Sequence, residues 1–206
     1  MNAQAWLSPE ALRARLLAVA PPLPLVPTRS DYDLDPSTRP EGPQTLTPAA
    51  VLIPVVARPE PTVLFTKRSE MLSRHAGQVS FPGGCAHDTD ESLVHTALRE
   101  MEEETGISTE FVTVIGFLAA YETVTRYAVL PVVGLVREGF EVKANAREVD
   151  GVFEVPLAFL LDPANRQEQR LQWKGGLRRV YAFQHETHYI WGATAAILVE
   201  LAERLA

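Results

Sequence analysis

Residues 83–107 read GGCAHDTDESLVHTALREMEEETGI, and this stretch decides the fold prediction. From about Glu91 to Thr105, apolar residues recur at helical spacing, and Gly106 follows in the position of a C-terminal cap. The stretch therefore predicts an amphipathic helix preceded by a glycine turn.

Three carboxylates of this helix fall on one side of it. At about 100° per residue, Glu100, Glu103 and Glu104 lie away from the apolar stripe, whereas Glu102 points elsewhere. Three like charges one turn apart repel one another, so something should compensate them. A hard divalent cation such as Mg²⁺ or Mn²⁺ does this directly, because it accepts carboxylate oxygens, keeps several waters and can bridge to a phosphate. The alternative is a solvated acidic face, which is the usual meaning of a bare glutamate run.

The overall composition is that of an ordinary globular chain. It has 206 residues, of which 46% are hydrophobic and 22% charged, enough to bury one core. Its single cysteine, Cys85, cannot form an internal disulfide, so a secreted disulfide scaffold is excluded and a cytoplasmic location is expected. The formal charge of -7 argues against a nucleic-acid partner, because such binding depends on Lys and Arg contacts to phosphates.

No membrane or targeting segment is expected. The longest apolar runs, residues 49–57 and 128–136, have nine residues each and contain a proline, whereas a membrane span needs about 20 apolar residues. The chain begins MNAQ and lacks the basic region that precedes the apolar core of a signal peptide. We therefore predict a small-molecule substrate and no membrane partner, and the oligomeric state is left open.

The chain divides into two parts by composition. Residues 1–48 are expected to form a short helix, starting at Ser8-Pro9, and then a proline-rich wrapping segment. Residues 49–206 alternate strands and helices, which predicts an α/β/α sandwich with a mixed sheet. Pro54, inside the first apolar run, is assigned to a strand edge. Strands are expected at 50–56, 62–67, 112–119, 128–136, 149–154 and 178–183, and a last helix from about residue 192 to the end.

The segment from Arg99 to Ile107 resembles the end of the box that marks the Nudix hydrolase family. That box reads G-x5-E-x7-R-E-U-x-E-E-x-G-U, where U is bulky and aliphatic, and the last nine positions match in full. Counting back from Arg99 places the first acid of the box at Glu91. The glycine of the box is then expected at position 85, where this chain has Cys85. The nearest glycine, Gly84, lies one residue further from Glu91, so the turn carries one extra residue relative to the family.

The resemblance implies a Nudix-type α/β/α sandwich and hydrolysis of a nucleoside diphosphate linked to another group. It implies that Glu100, Glu103 and Glu104 hold Mg²⁺ or Mn²⁺, with the Gly84 carbonyl as a further ligand. Arg99 would brace one of the glutamates by a charge-assisted hydrogen bond.

A carboxylate must also accept a proton from the attacking water. Glu100 ranks first for this role, and Glu103 is a second candidate on the same helix. Glu148 is a third, because some relatives of the family place an extra acid in this region. The alternative for Glu148 is an exposed acid ahead of a strand.

Residues 64–84 resemble a more selective pattern, LLTxR(SA)-x3-R-x3-G-x3-FPGG, which marks coenzyme A pyrophosphatases. The chain reads LFTKRSE from residue 64 and RHAGQVSFPGG from residue 74. Ser73 stands where the pattern has its second arginine, and Arg74 follows it. This resemblance implies a substrate site that includes Arg68, Arg74, Phe81, Gly83 and Gly84.

Charge also favours a ligand site in this region. Residues 58–74 carry four basic and two acidic side chains in an otherwise acidic chain. The guanidinium of Arg68 suits the 3'-phosphate or the pyrophosphate of a nucleotide, because its fork matches phosphate oxygens. The alternative is an exposed strand-end arginine that pairs with Glu70.

Three functions are compatible with these patterns. The first is metal-dependent hydrolysis of coenzyme A to 3',5'-ADP and 4'-phosphopantetheine. The second is Nudix hydrolysis of ADP-ribose, NADH or dinucleoside polyphosphates. The third is a catalytically silent module that binds a nucleotide and regulates a partner, and the intact REMEEETGI segment argues against it.

Overall fold

The computed structural model describes residues 8–16, 24–72, 75–173 and 176–206. Arg74, one of the expected substrate-binding residues, lies outside these ranges. The helices are α1 (Pro9–Leu16), α2 (Leu93–Thr105), α3 (Leu157–Leu161) and α4 (Ala193–Leu205). The strands are β1 (Arg29–Ser30), β2 (Thr47–Val56), β3 (Thr62–Arg68), β4 (Val79–Ser80), β5 (Gly83–Cys85), β6 (Val112–Phe117), β7 (Tyr121–Glu122), β8 (Tyr127–Val136), β9 (Val149–Pro156), β10 (Gln167–Trp173), β11 (Gly176–His185) and β12 (His188–Trp191).

The main sheet is mixed, as predicted. Its strands follow the order β1-β7-β8-β2-β3-β4, with β5 also paired to β2, β6 to β8 and β9 to β3. The β2–β8 and β1–β7 pairs are parallel, and the other pairs of this sheet are antiparallel. A second, antiparallel sheet has the order β10-β11-β12.

The two faces of the main sheet pack against different helices. On one face, Leu52 of β2 belongs to a hydrophobic cluster with Ala97 and Met101 of α2. On the other face, Ile53 belongs to a cluster that includes buried residues of α1, α3 and α4. Because neighbouring strand residues point to opposite faces, β2 contributes to both clusters. The predicted α/β/α sandwich is confirmed.

Pro54 shows how a proline is accommodated inside the sheet. It lies in β2, which pairs with β8 along its whole length, so the assignment to a strand edge is wrong. On its other side β2 pairs with β5 as far as Val51 and with β3 from Val55 onwards. The amide of Leu52 donates to the carbonyl of Pro82 on that side. By strand alternation the backbone nitrogen of Pro54 points to this same side, between the two paired stretches. Its missing N–H therefore removes no hydrogen bond from either ladder.

The N-terminal segment packs on the sandwich. Helix α1 begins where it was expected, with the Ser8 hydroxyl accepting a hydrogen bond from the amide of Ala11 at 3.2 Å. Its Leu12 and Leu16 are buried in the same cluster as α4, and strand β1 pairs with β7. The division after residue 48 stays a prediction. Across the described ranges, the helices are too short or too polar to span a bilayer.

Candidate active site

Helix α2 presents the acidic residues of the quoted stretch. It begins at Leu93 because Ser92 is its N-cap, whose hydroxyl accepts a hydrogen bond from the amide of His95. It ends at Gly106, which has a φ of 71° and is in the left-handed conformation, as the C-cap prediction requires. Met101 is fully buried against the sheet. This contact fixes the rotation of α2 about its axis and therefore the direction in which its acidic side faces.

Arg99 connects the loop before α2 to the acidic side of the helix. Its Nε and Nη2 atoms each donate to one carboxylate oxygen of Asp90, both at 2.9 Å. Its Nη1 donates to Glu100 at 2.8 Å and to Glu103 at 3.0 Å, and Nη2 also donates to the Cys85 carbonyl at 3.2 Å. The paired carboxylate of Asp90 raises the pKa of Arg99, and Arg99 lowers the pKa of Asp90.

Glu104 is buried, although helical spacing placed it on the side of the helix away from the apolar stripe. It is only 2% exposed, because it lies against Thr66 and Arg68 of β3. Its carboxylate accepts a hydrogen bond from the hydroxyl of Thr66 at 3.2 Å and lies 4.0 Å from Nη1 of Arg68. Burial raises the pKa of Glu104 from 4.5 to about 8, and Arg68 opposes this shift. A cation bound beside this carboxylate would favour its charged form.

Glu148 reaches the same acidic site from the loop before β9. Its carboxylate accepts a hydrogen bond from the side-chain amide of Asn145, whose backbone N–H donates to the carbonyl of Glu104. Burial raises the pKa of Glu100, Arg99 opposes the shift, and the charge of Glu148 adds to it. The charge of Glu148 also raises the pKa of Glu104. Asn145 therefore joins the loop that carries Glu148 to the end of α2, and the catalytic role of Glu148 stays a prediction.

A cavity of about 520 Å³ adjoins this acidic site. Arg68, Gly83 and Gly84 border it, as does Phe81, which is 2% exposed and stacks on Phe65 with ring centroids 5.2 Å apart. Phe81 is therefore mainly a core residue that forms part of the cavity wall. Arg68 does not pair with Glu70, whose carboxylate lies 3.4 Å from Lys67 instead.

Comparison with known proteins identifies the family. Residues 46–173, more than half of the chain, match the family model described as "NUDIX domain". This chain belongs to the Nudix family. A protein of Yersinia enterocolitica named "Uncharacterized Nudix hydrolase NudL" is 47% identical over 162 residues, which cover 76% of this chain and 80% of that protein.

A second curated relative agrees with this assignment. A Yersinia pestis protein of the same name is 45% identical over 157 residues, covering 76% of this chain and 79% of that protein. Among solved structures, the MutT protein from Methanosarcina mazei is 26% identical with a TM-score of 0.44, covering 59% of this chain and 84% of that chain. The chain is thus a Nudix hydrolase, an enzyme class that acts on pyrophosphate-containing substrates.

The acid that pairs with Arg99 of this Nudix box is Asp90, which was not predicted. Its side chain is 3% exposed and also accepts a hydrogen bond from the hydroxyl of Thr96 at 2.8 Å, whereas Glu91 is exposed. The sequence did contain a signal. Gly84 and Asp90 keep the G-x5-acid spacing of the box, so glycine and acid shift together and the extra residue falls between Asp90 and Arg99.

The acidic site fits a divalent metal ion by its chemistry. Nudix hydrolases generally need such an ion. Within the described ranges, no three His, Cys, Asp or Glu side chains are already arranged as a metal-binding group. Arg99 holds Glu100 and Glu103 through hydrogen bonds, and Glu104 faces Thr66. The neighbouring carboxylates nevertheless raise the pKa of Glu100 and of Glu104 through their charge. A hard divalent cation prefers carboxylate donors and would neutralise this charge.

The two glycines ahead of α2 lie in strand β5 rather than in a turn. An added Cβ at Gly83 would lie 2.5 Å from the carbonyl oxygen of Ala50 on β2. At Gly84 it would lie 2.5 Å from Oε1 of Glu100. Gly83 is therefore required by strand packing, whereas Gly84 leaves the space that the Glu100 carboxylate occupies.

Replacing Gly84 by Ala is expected to displace Glu100 without unfolding the protein. The new Cβ meets the flexible end of a side chain, so the free energy of unfolding should change by no more than about 1 kcal/mol. The displaced carboxylate should reduce kcat about 10- to 100-fold. Gly151→Ala on β9 is the matched control, because its Cβ would have no neighbour within 4 Å among the atoms that the structure describes. Full activity of Gly84→Ala in steady-state assays would show that Glu100 is not needed in this position.

Proposed function

We propose that this Nudix hydrolase cleaves the pyrophosphate of coenzyme A to 3',5'-ADP and 4'-phosphopantetheine, with Mg²⁺ or Mn²⁺ as its cofactor. One observation carries the proposal. The two halves of the coenzyme A pattern, LFTKR on β3 and FPGG at β4–β5, meet through the pairing of Thr66 with Ser80. Arg68 from the first half and Gly83 and Gly84 from the second then border one cavity beside the acidic helix.

The site residues divide into three roles in this proposal. Glu100, Glu103 and Glu104 would hold the metal ion, with the backbone carbonyl of Gly84 as a further ligand. When bound, the metal ion would neutralise charge on the pyrophosphate oxygens and lower the pKa of a water molecule. Arg99 positions Glu100 and Glu103 through its hydrogen bonds. Its bidentate contact with Asp90 keeps this arrangement attached to the loop.

The reaction itself requires one proton acceptor. Attack of water on a phosphorus forms a new P–O bond, breaks the bond to the bridging oxygen and releases a proton. Glu100 is the first candidate for this proton, because burial raises its pKa and so makes its carboxylate more basic. Glu103 and Glu148 are the other two. Glu100→Gln should reduce kcat more than either Glu103→Gln or Glu148→Gln if this order is correct.

The cavity has the size and the character that a nucleotide derivative needs. Its volume of about 520 Å³ lies within the range of roughly 300–1,000 Å³ that ligand pockets occupy. Apolar wall residues such as Val129, Val180 and Trp191 suit the adenine ring or the pantetheine arm. Arg68 borders the cavity and lies 4.0 Å from Glu104, so its guanidinium is a cation available to the pyrophosphate.

A competition assay tests this proposal. The protein is incubated with Mg²⁺, and separately with Mn²⁺, in equal amounts of coenzyme A, dephospho-coenzyme A, ADP-ribose, NADH and diadenosine polyphosphate, and the products are separated. We expect 3',5'-ADP and 4'-phosphopantetheine to form fastest. If ADP-ribose, NADH or the dinucleotide is hydrolysed faster, that compound and not coenzyme A is the preferred substrate. Absence of turnover with both metals would instead indicate a nucleotide-binding module.

A further inference from the structure

A second arginine, Arg178 on β11, borders the cavity that Arg68 borders. Its side chain belongs to the buried polar set, with 9% of the residue exposed. The Nη2 atom donates to the carbonyl of Asp31 at 2.6 Å, and the guanidinium lies over the ring of Tyr32, 5.2 Å from its centroid. These two contacts fix the guanidinium in place, so it is preorganised at the cavity wall.

The charge of Arg178 is not neutralised by an ion pair in the described part of the chain. Its Nε is buried and has no hydrogen-bond partner there. Asp31, whose backbone carbonyl accepts from Arg178, uses its carboxylate to accept hydrogen bonds from the Tyr121 hydroxyl at 3.0 Å and the Val124 amide at 2.7 Å. Arginine stays protonated in proteins, and a buried charge without a counterion is costly. A site with this property is suited to an anion.

The two cavity arginines come from different parts of the fold. Arg68 lies on β3 of the main sheet, within 4.0 Å of Glu104, and so belongs to the metal side of the cavity. Arg178 lies on the second sheet and is held by Asp31 and Tyr32 of the N-terminal segment. Both Arg178 and Asp31 fall outside residues 46–173, the part that matches the family model. A feature outside the shared domain is a suitable place for substrate selection.

We infer that Arg178 binds the 3'-phosphate of coenzyme A, while Arg68 binds the pyrophosphate. This inference rests on the proposed function, since coenzyme A carries two separated anionic groups and the described part of the cavity wall carries two arginines, one from each sheet. The plane of the Arg178 guanidinium is fixed, and its Nη1 makes no hydrogen bond in the described part of the chain, so this atom can donate to a phosphate in the cavity. The N-terminal segment then contributes to specificity, because it supplies the groups that orient Arg178.

Kinetic discrimination between coenzyme A and dephospho-coenzyme A tests this inference, because only the former carries the 3'-phosphate. For Arg178→Gln we expect kcat/KM for coenzyme A to fall roughly 10- to 100-fold, as for a lost hydrogen bond to a charged group, mainly through KM. The values for dephospho-coenzyme A should stay within about twofold. Arg178→Lys, which keeps the charge, should recover part of the loss.

The neighbouring arginine provides a matched control. Arg179 is next in the same strand, but it pairs with Glu168 and does not border the cavity. Arg179→Gln should leave the ratio of the two kcat/KM values unchanged. An equal loss of activity toward both substrates in Arg178→Gln would contradict a specific role in binding the 3'-phosphate. A wild-type enzyme that does not distinguish the two substrates would contradict it as well, while leaving the proposed function intact.

A binding measurement separates this inference from the proposed function. Calorimetric titration of the wild-type protein with 3',5'-ADP and with 5'-AMP requires no turnover. We expect 3',5'-ADP to bind at least about tenfold more tightly, and Arg178→Gln to remove this preference. If coenzyme A is not hydrolysed but the preference is present and depends on Arg178, the catalytic proposal fails and the phosphate site remains. If the wild-type protein shows no preference, the phosphate site is absent.

Discussion

Replacing Glu104 by Gln is expected to abolish turnover and, at the same time, to stabilise the metal-free protein. The carboxylate is only 2% exposed, and its pKa is raised to about 8, mainly by burial. A neutral amide of the same shape removes that desolvation penalty at neutral pH, so the free energy of unfolding should rise by about 1–3 kcal/mol. The same change removes a proposed metal ligand, and kcat should fall at least 100-fold.

The pH dependence of stability identifies Glu104 as the source of this effect. In the unfolded chain its carboxyl group loses its proton near pH 4.5, whereas in the folded metal-free protein it keeps the proton until about pH 8. The folded state therefore binds more protons in this window. The contribution of Glu104 to the free energy of unfolding consequently falls as the pH rises from about 4.5 to about 8. Glu104→Gln should lack this decline in urea titrations with a chelator present.

Without metal, Glu104→Gln is expected to be more stable than the wild-type protein, and adding a metal ion should reverse this order of stability. Mg²⁺ or Mn²⁺ is expected to raise the Tm of the wild-type protein and to have little effect on Glu104→Gln, because a ligand that binds only the folded state stabilises it. Glu102→Gln is the matched control, since Glu102 is an exposed residue of the same helix. If Glu104→Gln turns over substrate at the wild-type rate, Glu104 is not a metal ligand.

Asp90→Asn should have a far larger effect than Glu91→Gln, although Glu91 is the acid at the expected distance from Arg99. Asp90 accepts two hydrogen bonds from Arg99, whose side chain is 16% exposed, and its own side chain is 3% exposed. Removing one partner of a largely buried ion pair costs about 3 kcal/mol. It also leaves Arg99 free to move, and Glu100 and Glu103 with it. We expect kcat to fall at least tenfold through this loss of positioning.

The Glu91 variant serves as the internal control for this experiment. Glu91 is exposed, and its side chain makes no hydrogen bond or ion pair within the described ranges. Its replacement should change both the free energy of unfolding, measured in urea, and kcat by little. A larger loss in Glu91→Gln than in Asp90→Asn would show that the box keeps its usual register and that Asp90 has only a local role.

Periodicity and capping predicted the parts of the fold that depend on local chemistry. The end of α2 at Gly106 and the start of α1 beside Ser8 agree with the structure, because both depend on residues in immediate sequence contact. Strands β1, β4, β5, β7, β10 and β12 were not predicted. All of them except β10 have only two to four residues, and their identity depends on pairing with other strands rather than on their own sequence. Strand β10 is longer but mostly polar, and its pairing with β11 identifies it.

The same distinction applies to the candidate site. The spacing of Glu100, Glu103 and Glu104 is local and could be predicted, but the burial of Glu104 depends on its contact with β3. Helical angles alone placed Glu104 away from the apolar stripe and gave no sign that another element covers it. Arg178 and Asp31 meet only in the folded chain, so no motif search could have connected them. Asp90 was predictable, since its spacing from Gly84 is the family spacing.

The most direct test of this account is the identification of products from coenzyme A by mass spectrometry, with Mg²⁺ present, for the wild-type protein and Glu104→Gln. We predict equal amounts of 3',5'-ADP and 4'-phosphopantetheine from the wild-type protein and neither product from the variant. Intact coenzyme A after incubation with a wild-type protein that hydrolyses ADP-ribose would contradict the proposed substrate. Equal product from both proteins would contradict the proposed metal site.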